Sequence, residues 1–433
     1  MQRLPLLGWL LTGFLFSENI TLSTPLTPWE LIQPQPWSTL DSYQKTMTQA
    51  EFEKKLQTIF DPYQGLKPLL QWNQNQVTFF KENQQLTPLY TLHFAPSPTE
   101  LLSPPQPWRT PHQFSKSLPP ANTPLLGLKI AIDPGHIGGK WGPLQNRSVL
   151  YPGIGRVQEG DMNLITAKIL RENLRSLGAN VFLTREETEP VTELKIEAFK
   201  EPARLRMYKK YPDLEKKYRA LPLDEQYRRL GDRHEFVTQF LFFRIGEIRS
   251  RAQKIRTLFK PDLTIVLYIN ATLSSGRGQT VGVNQNIFFI HGAYTKEESA
   301  DPEQQVRMIY KILDRGTATE QYVAEKIAIA FQRITQLPPV PYGTTKSSRQ
   351  LGETKYVVAR NLAANREYDG PVVTTEPYFM NNKYVVRRLL AGDYEGTRPI
   401  LDKSFPSIFR EYAQAVTEGI LNAYTNQSVK ERN

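Results

Sequence analysis

The chain has 433 residues, with 39% hydrophobic and 22% charged, the balance of a globular protein with room for one large core and one small one. It contains no cysteine, which excludes disulfides, thiolate-ligated zinc, thiol catalysis and a lipoprotein anchor. A net charge of +11 suggests a polyanionic neighbour, either nucleic acid, a membrane surface or an anionic cell-wall polymer, although the basic residues are interleaved with Glu rather than gathered in one block.

Met1-Gln2-Arg3 is followed by a nearly uninterrupted apolar run from Leu4 to Phe16. One positive charge before about 13 apolar residues fits a secretory leader over 1–19, and such a run is too short for an ordinary membrane span. No small-x-small cleavage site follows, so an uncleaved anchor is the other reading, and a membrane enters only through this segment. Residues 20–40, rich in Pro, Thr and Ser, read as a tether. Residues 41–95 read as a small α+β domain: Phe52, Leu56, Ile59 and Phe60 share one helical face, and strands are expected at 76–80 and 90–94. His93 falls on the second strand and is read as structural. Nine prolines over 96–125 make a semi-rigid linker that leaves the small domain free to move relative to the rest.

From 126 to 428 the pattern is α/β. A strand at 128–133 precedes a long loop, and a helix over 163–177 stops at Gly178. Strands are expected at 180–184, 263–270, 286–290 and 371–375, with helices over 302–335 and 407–424. The charged, helical stretch 187–260 is long for a strand connection and reads as an inserted subdomain or lid. Alternating strands and helices predict a mixed, mainly parallel sheet with helices on both faces.

Four pieces at strand ends carry the chemistry. Asp133-Pro134-Gly135-His136 ends the first strand in a turn, a place where α/β proteins keep reactive groups. Gln158-Glu159-Gly160-Asp161 brings a glutamate into a helix 23 residues later (159 − 136). Asp262–Ala271 contains Tyr268 and Asn270, and Val372–Asn382 contains Glu376. A strand-end histidine is by itself more often structural than a ligand; the other three pieces raise its weight.

Together the four pieces resemble the zinc-dependent N-acetylmuramoyl-L-alanine amidases of the murein-hydrolase type, over about 128–424. Smaller echoes are Leu183-Thr184-Arg185, Arg251-Ala252 and Glu418-Gly419-Ile420, and Asn361–Glu376 with Asn365-Arg366 resembles a longer subgroup. The resemblance implies zinc held by a histidine, a glutamate and a second histidine. His136 matches the first ligand, Glu159 the second, and Glu376 the general base that takes a proton from zinc-bound water. The substrate implied is peptidoglycan or its muropeptides, cut at the amide between the lactyl group of N-acetylmuramic acid and L-alanine, and the location implied is the periplasm or the cell exterior.

One position departs. Tyr268 stands where the family has its second histidine, and a neutral phenol is a poor zinc ligand. Of the remaining histidines, His291 at a strand end is the candidate substitute. An antiparallel hairpin of the 263–270 and 286–290 strands would leave it on the order of 10 Å from position 268, so it needs another arrangement. His234 in the insert reads as a solvated helix residue. Arg366 and Asn270 are candidate substrate contacts, and Asp133 is expected to order the turn. Two functions follow: a zinc amidase, or a non-catalytic relative that binds murein because the third ligand is lost at Tyr268. A nucleic-acid-binding role rests on charge alone, with no recognition motif and an export signal against it.

Overall fold

The computed structural model describes residues 26–82, 87–272, 276–342 and 344–425. The leader-like segment 1–19, the start of the tether and residues 426–428 lie outside the described residues. Among those described, no helix is long and apolar enough to cross a membrane.

Three antiparallel strands, β1 (Leu70–Asn73), β2 (Gln76–Phe80) and β3 (Pro88–His93), form a small sheet backed by the helix Gln49–Lys55 and its continuation to Phe60. Phe52, Leu56 and Phe60 are buried as the helical spacing requires. This unit does not close a core alone. Its apolar cluster continues into Tyr294, Val306, Ile309, Tyr310 and Leu313, so the helix Pro302–Leu313 belongs to both units. The proline-rich segment is fastened as well. Trp108 is buried and donates to Asp314 (3.1 Å), Arg109 grips Asp262 with two guanidinium nitrogens and its backbone N–H, and Phe114 packs edge-on to Tyr424. Proline stiffens the segment, and these side chains lay it along the larger unit.

The larger unit is built on β4 (Lys129–Pro134), a hairpin of β5 (Ser148–Tyr151) and β6 (Gly155–Gln158), β7 (Asn180–Leu183), β8 (Leu263–Leu267), β9 (Ile287–His291), β10 (Arg349–Gln350), β11 (Val357–Arg360) and β12 (Val372–Glu376). Seven of these form one sheet in the order β10-β11-β9-β12-β8-β4-β7. β7, β4, β8 and β12 run parallel; β9 and β11 run parallel to each other and antiparallel to β12. The sheet is therefore mixed and mainly parallel, as the alternation of elements predicts.

Strand periodicity sorts its two faces. Ile130, Ile132, Leu263, Ile265 and Val373 point into the large core under helices Glu159–Ser176, Thr317–Thr335 and Ile408–Thr425. Ala131, Val266 and Val372 point the other way, against Ala252 and Ile255 of the insert and Ala364 and Tyr368. Helices cover both faces. Stretch 187–260 is helical for most of its length. The 302–335 stretch, expected as one or two helices, is two, parted at Arg315, whose φ of 61° breaks the helical path. One detail differs from expectation. The 263–270 and 286–290 strands are not a hairpin, because β12 lies between them.

Candidate active site at the strand ends

Parallel pairing brings the ends of β4, β8 and β12 to one level: Pro134 pairs with Leu267, and Leu267 with Thr375. The next residues along are the Gly135-His136 turn, Tyr268 and Glu376. The turn is closed by the Gly135 N–H donating to the Leu267 carbonyl (2.9 Å), and His136 takes a left-handed φ of 58°.

Gly160, at the start of helix Glu159–Ser176, lets it approach this turn. A Cβ on Gly160 would lie 2.3 Å from the Gly138 nitrogen and 2.6 Å from the Ile137 carbonyl carbon. That fit explains the Glu159-Gly160 pairing in the sequence and seats Glu159 directly opposite His136. His136 Nε2 lies 3.3 Å from Glu159 Oε2, and Glu159 Oε1 accepts the Ile269 N–H at 3.2 Å.

The electrostatics follow from burial and neighbours. Burial raises the Glu159 carboxyl, but His136 and Arg147 outweigh it and hold it below the usual carboxylate range. Burial lowers the His136 imidazole, with Glu159 opposing and Arg147 and Arg244 adding to the shift. Glu376 is pushed up to about 7 by burial and by the charge of Glu159. Burial and the Asp133 charge push the Tyr268 phenol above its ordinary value. Its ring lies against Gly135, where a Cβ would sit 2.2 Å from a ring carbon, and edge-on to His136 with centroids 5.1 Å apart. Asp133 accepts hydrogen bonds from Thr184 (2.5 Å), Tyr368 (2.6 Å) and Arg251 (2.8 Å).

His136 and Tyr268 open onto a cleft of about 770 Å³ whose far walls come from the insert (Phe236, Phe240, Arg244) and from Arg366. Arg366 donates to Asn361 (2.7 Å), Gln304 (3.1 Å) and Glu367 (3.2 Å). Asn270 lies beside the site but uses its side-chain oxygen on the Ala271 N–H (2.7 Å) and its carbonyl on the Met380 N–H (2.7 Å).

His291 is corrected by the topology. β9 runs antiparallel to β12, pairing Ile287 with Glu376, so His291 lies four residues, about 13 Å, toward the opposite end of the sheet. There it is buried between Phe60 and Tyr294, far out of reach of a metal held by His136. His234 is also corrected, from a solvated residue to a buried one: its ring stacks on Tyr227 and its Nε2 meets the Lys200 carbonyl (2.8 Å).

Two tetrahedral ligands at ordinary zinc bond lengths stand about 3.4 Å apart, so the 3.3 Å His136–Glu159 separation suits a pair of zinc ligands. The third position holds a phenol kept neutral by burial. Among the described residues no group of three His, Cys, Asp or Glu side chains is placed to hold a metal. The residues present do not complete a three-ligand zinc centre.

Sequence reading missed the residues behind the site. Arg185 and Arg251 sit in the short echoes noted above, which carried no hint of their role; Tyr368 gave no signal because its partner Asp133 is distant in sequence, and the i,i+4 pair of Glu247 with Arg251 reads like any exposed helix pair.

The family model described as N-acetylmuramoyl-L-alanine amidase matches residues 130–397, more than half of the chain. Among solved structures, the chain is similar to the Ami1 N-acetylmuramyl-L-alanine amidase of Mycobacterium smegmatis (13% identity, 70% of this chain, 99% of that one, TM-score 0.38). It is also similar to the CwlD amidase of Clostridioides difficile, solved in complex with the GerS lipoprotein (14% identity, 69% and 98%, TM-score 0.37). No curated protein sequence matches it. The family match over the sheet, the His136 turn, the Glu159 helix and Glu376 shows that the chain belongs to the N-acetylmuramoyl-L-alanine amidase family.

Proposed function

We propose that the protein is an exported amidase that hydrolyses the bond between the lactyl group of N-acetylmuramic acid and L-alanine in peptidoglycan, in the periplasm or outside the cell, with the N-terminal apolar run as leader or anchor. The observation that carries this reading is the level alignment of the β4, β8 and β12 ends, which brings Glu376 within the field of the Glu159 carboxylate that faces His136. A carboxyl pushed up to about 7 is matched to general-base work near neutrality. Glu376 takes a proton from the water attacking the amide carbonyl and returns it to the leaving amine of L-alanine. With the third zinc ligand lacking among the described residues, the proton transfers rest on Glu376 itself.

Tyr268 favours a second reading, a relative that binds murein in the same cleft without turnover. Incubation of the purified chain with muropeptides, with and without added zinc, separates the two. Released stem peptides support the amidase. Retention on sacculi with the lactyl amide intact across the pH range refutes it in favour of the binding protein.

A further inference from the structure

Beside the His136–Glu159 pair lie two arginines, each only 3% exposed, that the proposed reaction does not use; Arg251 also borders the cleft. Arg185 follows β7. Its Nε donates to the Pro134 carbonyl (3.1 Å), its Nη2 to the Gly160 carbonyl (2.7 Å) and its Nη1 to the Glu187 carbonyl (2.9 Å). Pro134 stands two residues before His136, and Gly160 directly after Glu159. One planar guanidinium therefore links the backbones of the two turns that present the pair. Its donors leave at fixed angles, so the link sets a geometry as well as a contact.

Arg251, on the insert helix Glu247–Lys254, approaches the same turn from the other side. Its Nη2 donates to the His136 carbonyl (3.0 Å), its Nη1 to Asp133 (2.8 Å) and the Pro134 carbonyl (3.1 Å), and its Nε to Glu247 (2.8 Å). Glu247 also accepts the N–H groups of Val191 and Thr192, at the start of the insert. The insert's entrance and exit are thus clasped by one carboxylate, and the same helix grips the carbonyl of His136.

Burying guanidinium groups is costly, and a pocket serving stability alone is filled as well by apolar side chains. What apolar packing lacks is direction. The Pro134 carbonyl is shared by both arginines, and with the Arg251 bond to the His136 carbonyl this adds directed restraints on a turn whose histidine takes a left-handed φ.

We propose that Arg185 and Arg251 are positioning residues: they set the separation and orientation of His136 relative to Glu159, and Arg251 ties that geometry to the helical insert. The kinetic part of this proposal rests on the amidase reading; the geometric part does not. The test uses the full chain with 15N-labelled histidine at one fixed pH. The chain has five histidines, and the signal missing from a His136→Gln variant assigns the relevant one. Arg185→Lys, Arg185→Gln and Arg251→Lys are compared. The expected result is a displaced His136 signal with those of His234 and His291 in place, and a kcat lower by about 100-fold, as for a misplacement of about 1 Å, with KM unchanged. Arg185→Lys, which keeps the charge without the fork, is expected to restore little. Unchanged His136 signals and kcat in all three overturn the proposal, as does a joint collapse of all five signals in every variant, which assigns both arginines to fold stability alone. Absence of wild-type turnover together with a displaced His136 signal leaves the positioning role standing and removes the amidase reading.

Discussion

Alanine at position 160 tests how closely the two site-bearing turns are packed. On an exposed helix a Gly→Ala change stabilises by up to about 1 kcal/mol, and less in the first turn, where Gly160 lies. Here the new Cβ would stand 2.3 Å from the Gly138 nitrogen and 2.6–2.8 Å from backbone atoms of Ile137. An ordinary contact begins near 3.4 Å, so the His136 turn must retreat by about 1.1 Å (3.4 − 2.3). The obstructing atoms are backbone and cannot swing aside as a side chain would. Overpacking of this kind costs about 1–3 kcal/mol and outweighs the helix gain. A net loss of about 1–2 kcal/mol lowers the melting temperature of a chain this long by roughly 1–2 °C. The effect on turnover is larger, since moving His136 by about 1 Å relative to Glu159 is expected to lower kcat about 100-fold. Thermal unfolding and muropeptide hydrolysis measure the two effects. Gly282→Ala, where a Cβ meets nothing within 4 Å, is the matched control. A Gly160→Ala protein that melts at or above the wild-type temperature with full activity would refute the close-approach argument.

Three further outcomes are expected. Glu376 must be ionised to accept a proton, so kcat/KM should rise with pH through about 7, and Glu376→Gln should abolish that limb with the activity. Because its folded value is raised, its stabilising contribution is complete below about 4.5 and is lost as pH rises through about 7. Unfolding free energies of the wild type from urea titration should therefore fall over that window relative to Glu376→Gln, by on the order of 3 kcal/mol, and parallel values would contradict the burial assigned to it. Tyr268→His should bring bound zinc to one equivalent per chain by metal analysis, against substoichiometric zinc in the wild type; a variant that stays metal-free would show that position 268 is not the missing ligand. Asp262→Ala leaves Arg109 and the Lys129 N–H without their buried acceptor, which should cost about 2–4 kcal/mol and open 96–125 to limited proteolysis; an uncleaved segment would show that it is held by other contacts.

The alternation of strand and helix and the α/β class were legible from the sequence because they depend on local pattern, an apolar run or a helical spacing. His136, Glu159 and Glu376, and the departure at Tyr268, were singled out by the family resemblance of the motifs that hold them. Tertiary structure decided what depends on strand order. β12 inserts between β8 and β9, which sets Glu376 beside Tyr268 and sends His291 to the far end of the sheet. A hairpin was the simplest reading of two neighbouring strands, and no local signal opposes it. The shared core beneath the N-terminal unit and the arginine network behind His136 join residues more than 50 positions apart in sequence, such as Arg185 with Pro134 and Arg251 with His136. Periodicity reports which face of an element is buried, and only the folded chain reports what it is buried against.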